Sequence, residues 1–474
     1  MGKLNINVKE NAKRVFDFFE EISAVPRGSG NTKGIADYLV SFAKTRRLLY
    51  YRDESDNVII KKGATVGYEE RPTVILQGHT DIVADKIKGS TRDLVNEGLE
   101  LYLDGDFIRA KETTLGSDNG IAVAMALAIL DSRDIPHPAI EALFTSDEEI
   151  GLIGATALDT SHLTGKTLIN LDSDEEGIFT VGCAGGLRVD MDFAIKKNEV
   201  AKGLYSLSVA GLIGGHSGIE INKNRFNANK VLAELLSLAR NVEIAEIYGG
   251  NADNAIAREA GAIFKTDSSE EELLTLIKKK EAELKTETEN AHIALKKVEG
   301  GAVFSRTDTE RVLSLILSLH SGVVRMERNI PDMVETSMNL GVVTMTENGV
   351  RVTVSIRSSK TEKKEEEKKK VRGLAAQYGA LVSERGEYPA WEYKEESHLR
   401  EVMVDVYREK YGREPVVITI HAGLECGIFS KKIEGLDCIS IGPDEIDIHT
   451  PEERLSVSST ERVYEFLLDV LKKI

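Results

Sequence analysis

The sequence predicts an α/β layered fold with a second, α+β segment inserted into it, on three observations. Amphipathic helical stretches alternate with short apolar runs bounded by polar residues, as in strands buried in a sheet. Each such run leads into a polar, acid-rich loop. The texture changes after Cys183-Ala184-Gly185-Gly186 and reverts past Trp391.

Taken in order, Val15, Phe18, Phe19 and Ile22 form the i, i+3, i+4, i+7 stripe of a half-buried helix, which Pro26 and the Gly28–Asn31 cluster end. Ile35, Tyr38, Leu39 and Phe42 repeat the pattern. Thr73–Leu76, Ile140–Phe144 and Leu168–Leu171 are the strand-like runs, and Ile121–Leu130 between two of them reads as a buried helix. After residue 186, alternation over Leu204–Val209 predicts a strand. Ser268 with Glu271 predicts a capping box for a helix buried through Leu273, Leu274 and Ile277. The charged continuation to residue 297, which includes His292, and the run Thr361–Lys370 read as solvated helical faces. Leu399–Tyr411 is helical in pattern and Val416–Ile420 strand-like. The layout is therefore one domain from residues 1–186 and 392–474, with residues 187–391 inserted.

The 474 residues carry 61 Lys and Arg against 78 Asp and Glu, a net charge of −17, which disfavours nucleic acid as a partner and leaves room for carboxylates gathered to hold cations. Three cysteines, Cys183, Cys426 and Cys438, make neither a disulfide framework nor a zinc ribbon and read as buried small hydrophobes. No apolar run reaches the ~20 residues of a membrane span, and the start lacks a secretory pattern, so a cytoplasmic protein without membrane contact is expected. The glycine-rich GLIGGHSG lacks the Lys and Ser/Thr of a phosphate loop.

The histidines and acids cluster at the predicted strand ends. His79-Thr80-Asp81 follows the run TVILQG, and alternate residues in extended chain share a side, so Asp81 can face the second N–H of His79. Asp118 lies in GSDNG, Glu148-Glu149 in SDEE, Asp172 in LDSDEE and His449 in DIHTPEERL. Singly, each has a plain reading: an exposed loop pair, a helix cap, a solvated acid pair, a strand terminator, a surface histidine. Together they fall where ligands gather in open α/β sheets, outside the carboxyl ends of the strands. His79, Asp118, Glu149, Asp172 and His449 offer mixed nitrogen and oxygen ligation suited to zinc or a similar divalent ion. Five ligands with one shared carboxylate suit a pair of ions ~3.5–4 Å apart, leaving Glu148 free to act as a general base.

QGHTD, LGSDNG, TSDEEIG, LDSDEEG and the late IHTPEER, in this order, resemble the co-catalytic zinc peptidases related to glutamate carboxypeptidase, peptidase T and acetylornithine deacetylase. CAGG at 183–186, GGHSG at 214–218, NKNRFNANK at 222–230, ETSMNLG at 335–341 and HAGLECG at 421–427 resemble the Xaa-His dipeptidase branch. The resemblance implies a phosphorylase/hydrolase-like zinc peptidase catalytic domain with an inserted lid, and two divalent ions: zinc first, with cobalt or manganese as alternatives. It implies that Asp118 bridges the ions, that His79 and Asp172 complete one site and Glu149 and His449 the other. It further implies that Asp81 orients His79 and Glu148 is the base. His216 would polarise the scissile carbonyl, Asn254 and Arg357 would grip the substrate carboxylate, and the lid would form a homodimer. The implied substrate is a dipeptide such as β-alanyl-histidine. The alternatives are removal of an acyl group from an amino acid and, in another class, a non-catalytic scaffold. Ala84-Asp85-Lys86 and Ala257 depart from the branch pattern at positions that bear on substrate preference rather than on chemistry.

Overall fold

The computed structural model describes residues 4, 6–197, 199–328 and 333–474. The chain divides into two compact units. The first comprises Met1–Cys183, Tyr393–Thr419 and Leu424–Ile474, and the second Ala184–Glu392 with Ile420–Gly423.

The first unit is built on an eight-stranded sheet. Its spatial order is Leu49–Arg52, Val58–Lys62, Ile140–Thr145, Val74–His79, Thr167–Asn170, Asp437–Ser440, Ile178–Cys183 and Val416–Ile420. The centre is parallel: Val74–His79 pairs with both Ile140–Thr145 and Thr167–Asn170, and Asp437–Ser440 continues the parallel run. Three central strands thus end on the same edge, and their carboxyl ends carry His79, the Glu148 turn and Asp172. The helix Ser117–Asp131 is apolar on every side and buried from Ile121 to Leu130, as expected of a helix inside a layer rather than on one. Each of its large aliphatic side chains contributes roughly 1.5–3 kcal/mol of burial. Gly78 permits this close packing, because a Cβ there would lie 2.5 Å from Asn119 Oδ1 and 2.6 Å from Ala122 Cβ.

The helices Glu10–Ser23 and Lys33–Arg46 bury the predicted stripes, including Val15, Phe18, Phe19 and Ile22. The helices His398–Tyr411 and Val457–Lys473 add to the same core. All three cysteines are buried. Among the described residues no helix is long and apolar enough to cross a membrane.

The second unit carries a separate nine-stranded antiparallel sheet, whose main path runs His292–Val298, Leu204–Ala210, Ala260–Lys265, Glu243–Gly249, Val334–Thr346, Gly349–Ser358, Gly185–Ala194 and Leu381–Tyr388. The ninth strand, Gly322–Met326, pairs with Val334–Thr346. Four expectations are corrected here. The capping box sits one residue later, Ser269 with Glu272, because Ser268 Oγ instead accepts the Arg240 N–H at 2.9 Å. Leu274 is exposed, leaving Leu273, Ile277 and Leu284 to bury the helix. His292 begins an edge strand, not a helix; its lysines are the charges that edge strands use against unwanted pairing. In the helix Thr361–Tyr378, Lys364 and Glu367 are buried rather than solvated.

Candidate metal centre and substrate-facing residues

The first unit brings all five predicted ligands together. His79 Nε2 lies 3.0 Å from Asp118 Oδ1 and 3.4 Å from Asp172 Oδ1. His449 Nε2 lies 3.0 Å from Asp118 Oδ2 and 3.1 Å from Glu149 Oε1. Asp118 therefore turns one carboxylate oxygen to each imidazole. His79, Asp118 and Asp172 form one compact group of possible metal ligands, and Asp118, Glu149 and His449 a second; Glu148 groups with His79 and Glu149.

The electrostatics are those of an acid-crowded site. Burial works against a charged His79, but Asp172, Asp118 and Asp81 outweigh it and hold the imidazole well above its usual range. His449 is pushed up to about 11 by hydrogen bonds to Asp118 and Glu149. Asp118 is buried, which opposes ionisation, yet the two imidazoles hold it well below the carboxylate range. Asp172 is pushed up to about 6 by burial, with Asp118 and Glu149 adding like charge against the pull of His79. Glu148 is raised by burial and by Asp172, Glu425 and Glu149, with His79 opposing. Two imidazoles and three carboxylates, with like-charged acids crowded among them, form a donor set that fits two divalent cations.

Around these groups the fold supplies backbone ties. Asn119 Oδ1 accepts the His79 N–H at 3.2 Å and its Nδ2 donates to the Leu171 carbonyl at 2.8 Å, joining the His79 and Asp172 strand ends. Asp81 divides its roles. The second nitrogen of His79, Nδ1, is 3.0 Å from the Asp81 carbonyl oxygen and 3.5 Å from the carboxylate. That carboxylate accepts the Ser29 hydroxyl at 2.8 Å and the N–H groups of Glu148 and Glu149 at 3.0 and 3.3 Å. It fixes the turn that presents Glu148 and Glu149 as well as the face of His79.

Sequence reasoning missed three buried charged residues. Glu453 accepts the N–H groups of Leu115, Gly116 and Ser117 at 2.8, 2.9 and 2.8 Å and the Ser117 hydroxyl at 2.7 Å, anchoring the loop that carries Asp118. Arg27, lowered to about 10 by burial against the pull of Glu453, Asp81 and Asp118, donates to the carbonyls of Thr80 and Gly116 at 3.0 and 2.6 Å. Glu425 is pushed up to about 8 by burial, Asp172 adding to it while His79 and hydrogen bonds from Thr145 and Gln77 oppose. Glu453 and Glu425 belong to the IHTPEER and HAGLECG motifs, which was the signal available.

The three residues expected to face substrate lie in the second unit. His216 Nδ1 accepts the N–H groups of Gly218 and Ile219 at 3.2 and 3.3 Å, so a neutral ring carries its proton on Nε2; burial and Arg357 lower its pKa and keep it neutral. Ser337, Arg357, Gly186 and Tyr388 form one register row across four strands. Arg357 is buried and donates to the Tyr388 hydroxyl at 2.8 Å, while its Nε has no partner among the described residues. A Cβ at Gly186 would meet that hydroxyl at 2.5 Å, so glycine makes the contact possible. His421 Nε2 lies 2.7 Å from Ser337 Oγ. Asn254 is exposed, and its carbonyl accepts the Ser217 N–H at 2.8 Å.

A parallel-centred sheet with paired acid and histidine groups at its carboxyl edge, and a separate antiparallel sheet unit, define a class of peptidase. Residues 75–473 match Peptidase family M20/M25/M40, and the chain belongs to that family. It is 34% identical over 471 residues, 97% of each chain, to the cytosol non-specific dipeptidase of Escherichia coli (strain K12). The crystal structure of aminoacylhistidine dipeptidase from Vibrio alginolyticus superposes with a TM-score of 0.86 at 34% identity, covering 98% of both chains. Aminopeptidase PepT from Bacillus cereus ATCC 10987 shares the fold, with a TM-score of 0.57 at 17% identity over 100% of this chain and 99% of that one.

Proposed function

We propose that this chain is a dipeptidase dependent on two divalent metal ions, that it acts on short peptides of the Xaa-His type such as β-alanyl-histidine, and that it does so in the cytoplasm. The carrying observation is the split carboxylate of Asp118, each oxygen 3.0 Å from a different imidazole nitrogen. The nitrogen and oxygen donors favour zinc, with cobalt and manganese as chemically admissible substitutes. The names of the two relatives that are 34% identical over nearly the whole chain, a dipeptidase and an aminoacylhistidine dipeptidase, support the substrate class.

A bound pair of divalent ions would supply acidity to a water molecule and polarisation to a carbonyl oxygen. The chain's own residues do the rest. His79 and Asp172 would hold one ion and Glu149 and His449 the other, with Asp118 offering one carboxylate oxygen to each. Glu148, raised by burial among like charges, takes the proton of the attacking water and returns it to the leaving amine. His216, with its proton on Nε2, donates to the developing oxyanion. Arg357 and Asn254 receive the substrate carboxylate, the buried Nε of Arg357 being a donor still to be satisfied. A homodimer through the inserted unit completes this reading.

The test is a panel of β-alanyl-His, Gly-His and other dipeptides beside N-acetyl amino acids, with the metal content of the protein measured in parallel. Hydrolysis of Xaa-His dipeptides with two ions per chain is expected. Turnover confined to N-acetyl amino acids would replace the dipeptidase reading with an acyl-removing one.

A further inference from the structure

The HAGLECG motif contains a carboxylate that the proposed chemistry does not use. Glu425 opens the helix Glu425–Lys432 and is wholly buried in the first unit. Its Oε2 accepts from Gln77 Nε2 at 2.6 Å and from Thr145 Oγ1 at 2.7 Å. Gln77 Nε2 also reaches Thr145 Oγ1 at 3.2 Å, and Gln77 Oε1 accepts from Asn170 Nδ2 at 2.5 Å. Oε1 of Glu425 has no partner among the described residues.

This chain of hydrogen bonds crosses three adjacent strands beside the candidate ligands: Gln77 stands in register with Asn170, and Thr145 in register with His79. Gln77 stands on the His79 strand, Asn170 on the strand that leads into Asp172, and Thr145 on the one that leads into Glu148 and Glu149. Burying a carboxyl group with one oxygen unsatisfied carries a penalty that an apolar side chain of that size would not. A residue kept at that expense is poorly explained as a stabiliser of the core. It is well explained as a tie, since one oxygen that takes donors from two strands, with the third joined through Gln77, holds their ends in register.

We propose that Glu425 is a positioning residue that sets the affinity of the site for its divalent ions by holding the strand ends of His79, Asp172 and the Glu148–Glu149 turn through Gln77, Asn170 and Thr145. This rests on the dinuclear reading of the site.

The experiment uses the full-length protein stripped of metal. Zinc affinity is measured by competition with a chromophoric chelator, and ligand geometry by the visible absorption of the cobalt-loaded protein. Glu425→Ala should bind zinc about 10–100-fold more weakly, the range found when groups that orient metal ligands are removed, with an altered cobalt spectrum. Glu425→Gln, which keeps an oxygen for Gln77 and Thr145, should bind within a few-fold of the unaltered chain. Thr145→Val removes one donor at nearly constant volume and gives an answer even where Glu425→Ala fails to fold; it should weaken zinc binding by an intermediate factor. Unchanged affinity in Glu425→Ala or in Thr145→Val overturns the proposal, as does a loss in Glu425→Gln as large as in Glu425→Ala. Failure of the unaltered protein to take up divalent ions would overturn the dinuclear reading and this proposal with it, whereas normal uptake by the unaltered chain and the alanine variant alike overturns the tie alone.

Discussion

His449 Nε2 and Asp118 Oδ2 stand 3.0 Å apart although 331 residues separate them in the chain. The contact joins a loop near the C-terminal end to the helix start at Asp118, on the oxygen that His79 leaves free. Two half-sites that share one carboxylate make a definite claim about stoichiometry. His449→Ala should retain one divalent ion per chain where the unaltered protein holds two, measured by elemental analysis after dialysis. Because the His449 side chain is 45% exposed, the metal-free melting temperature should move little. Two ions retained, or none, would contradict the assignment.

Glu148 has the environment of a base. Burial raises its pKa well above the usual carboxylate value, with Asp172, Glu425 and Glu149 adding to the rise and His79 opposing it, and a more basic carboxylate is a better proton acceptor. Glu148→Gln should lower kcat by about 10²–10⁴-fold, the usual contribution of a positioned acid or base, with both ions still bound. A variant that turns over within a few-fold of the native rate would remove Glu148 from the reaction.

Glu453 supports the Asp118 loop without belonging to it. Its carboxylate satisfies three backbone N–H groups and a hydroxyl in a space closed to solvent. Each donor left unpaired costs about 1–3 kcal/mol, so Glu453→Ala should destabilise the metal-free protein by several kcal/mol in urea unfolding and weaken metal binding as well. Glu453→Gln should recover part of both. A stability loss below about 1 kcal/mol in the alanine variant would show that the loop holds its shape unaided.

Divalent ions that bind only the folded chain raise its stability by mass action, by about 2.7 kcal/mol at a hundredfold excess over Kd. Zinc added to metal-free protein should therefore raise the melting temperature with a dependence on concentration, and a chelator should reverse it. The double variant His79→Ala, His449→Ala should show no such rise.

What the sequence disclosed follows from how far each signal travels. The stripe Val15, Phe18, Phe19, Ile22 is a local periodicity and appears as the helix Glu10–Ser23. The grouping of the five candidate ligands was legible because each lies in a short acidic or histidine motif at the end of an apolar run, where α/β sheets gather their chemistry. Glu453 and Arg27 were not, because their partners are main-chain groups far away in the chain, and no residue type marks a carbonyl or an N–H as needing a partner. Glu425 was hidden by distance instead, its side-chain partners Gln77 and Thr145 lying 348 and 280 residues away. The capping box slipped by one because Ser268 and Ser269 are each followed three residues later by Glu; only the Arg240 N–H, which occupies Ser268, breaks the tie. The strand His292–Val298 was hidden by the charges that protect an edge.

His421 makes the stability of the second unit depend on pH. Burial lowers its pKa to about 3, with Arg357 and His216 adding positive charge nearby and the Val334 carbonyl opposing. In the unfolded chain the imidazole titrates near 6.5. Between pH 6.5 and about 3 the unfolded state therefore holds a proton that the folded state refuses, so stability falls as pH falls through that window, by about 1.4 kcal/mol per pH unit once well below 6.5. Carboxylates titrate in the lower part of the window, so the effect is isolated by comparison with His421→Asn, which has no proton to take up. The variant should be the less stable of the two at pH 7, having lost the contact to Ser337, and the gap should narrow as pH is lowered to 5 and then close or invert. Trp391, the single tryptophan, lies buried in the same unit and reports its unfolding in urea. A gap that stays constant from pH 7 to 5 would mean that His421 titrates in the folded protein as it does in the unfolded chain, and that neither burial nor Arg357 holds it neutral.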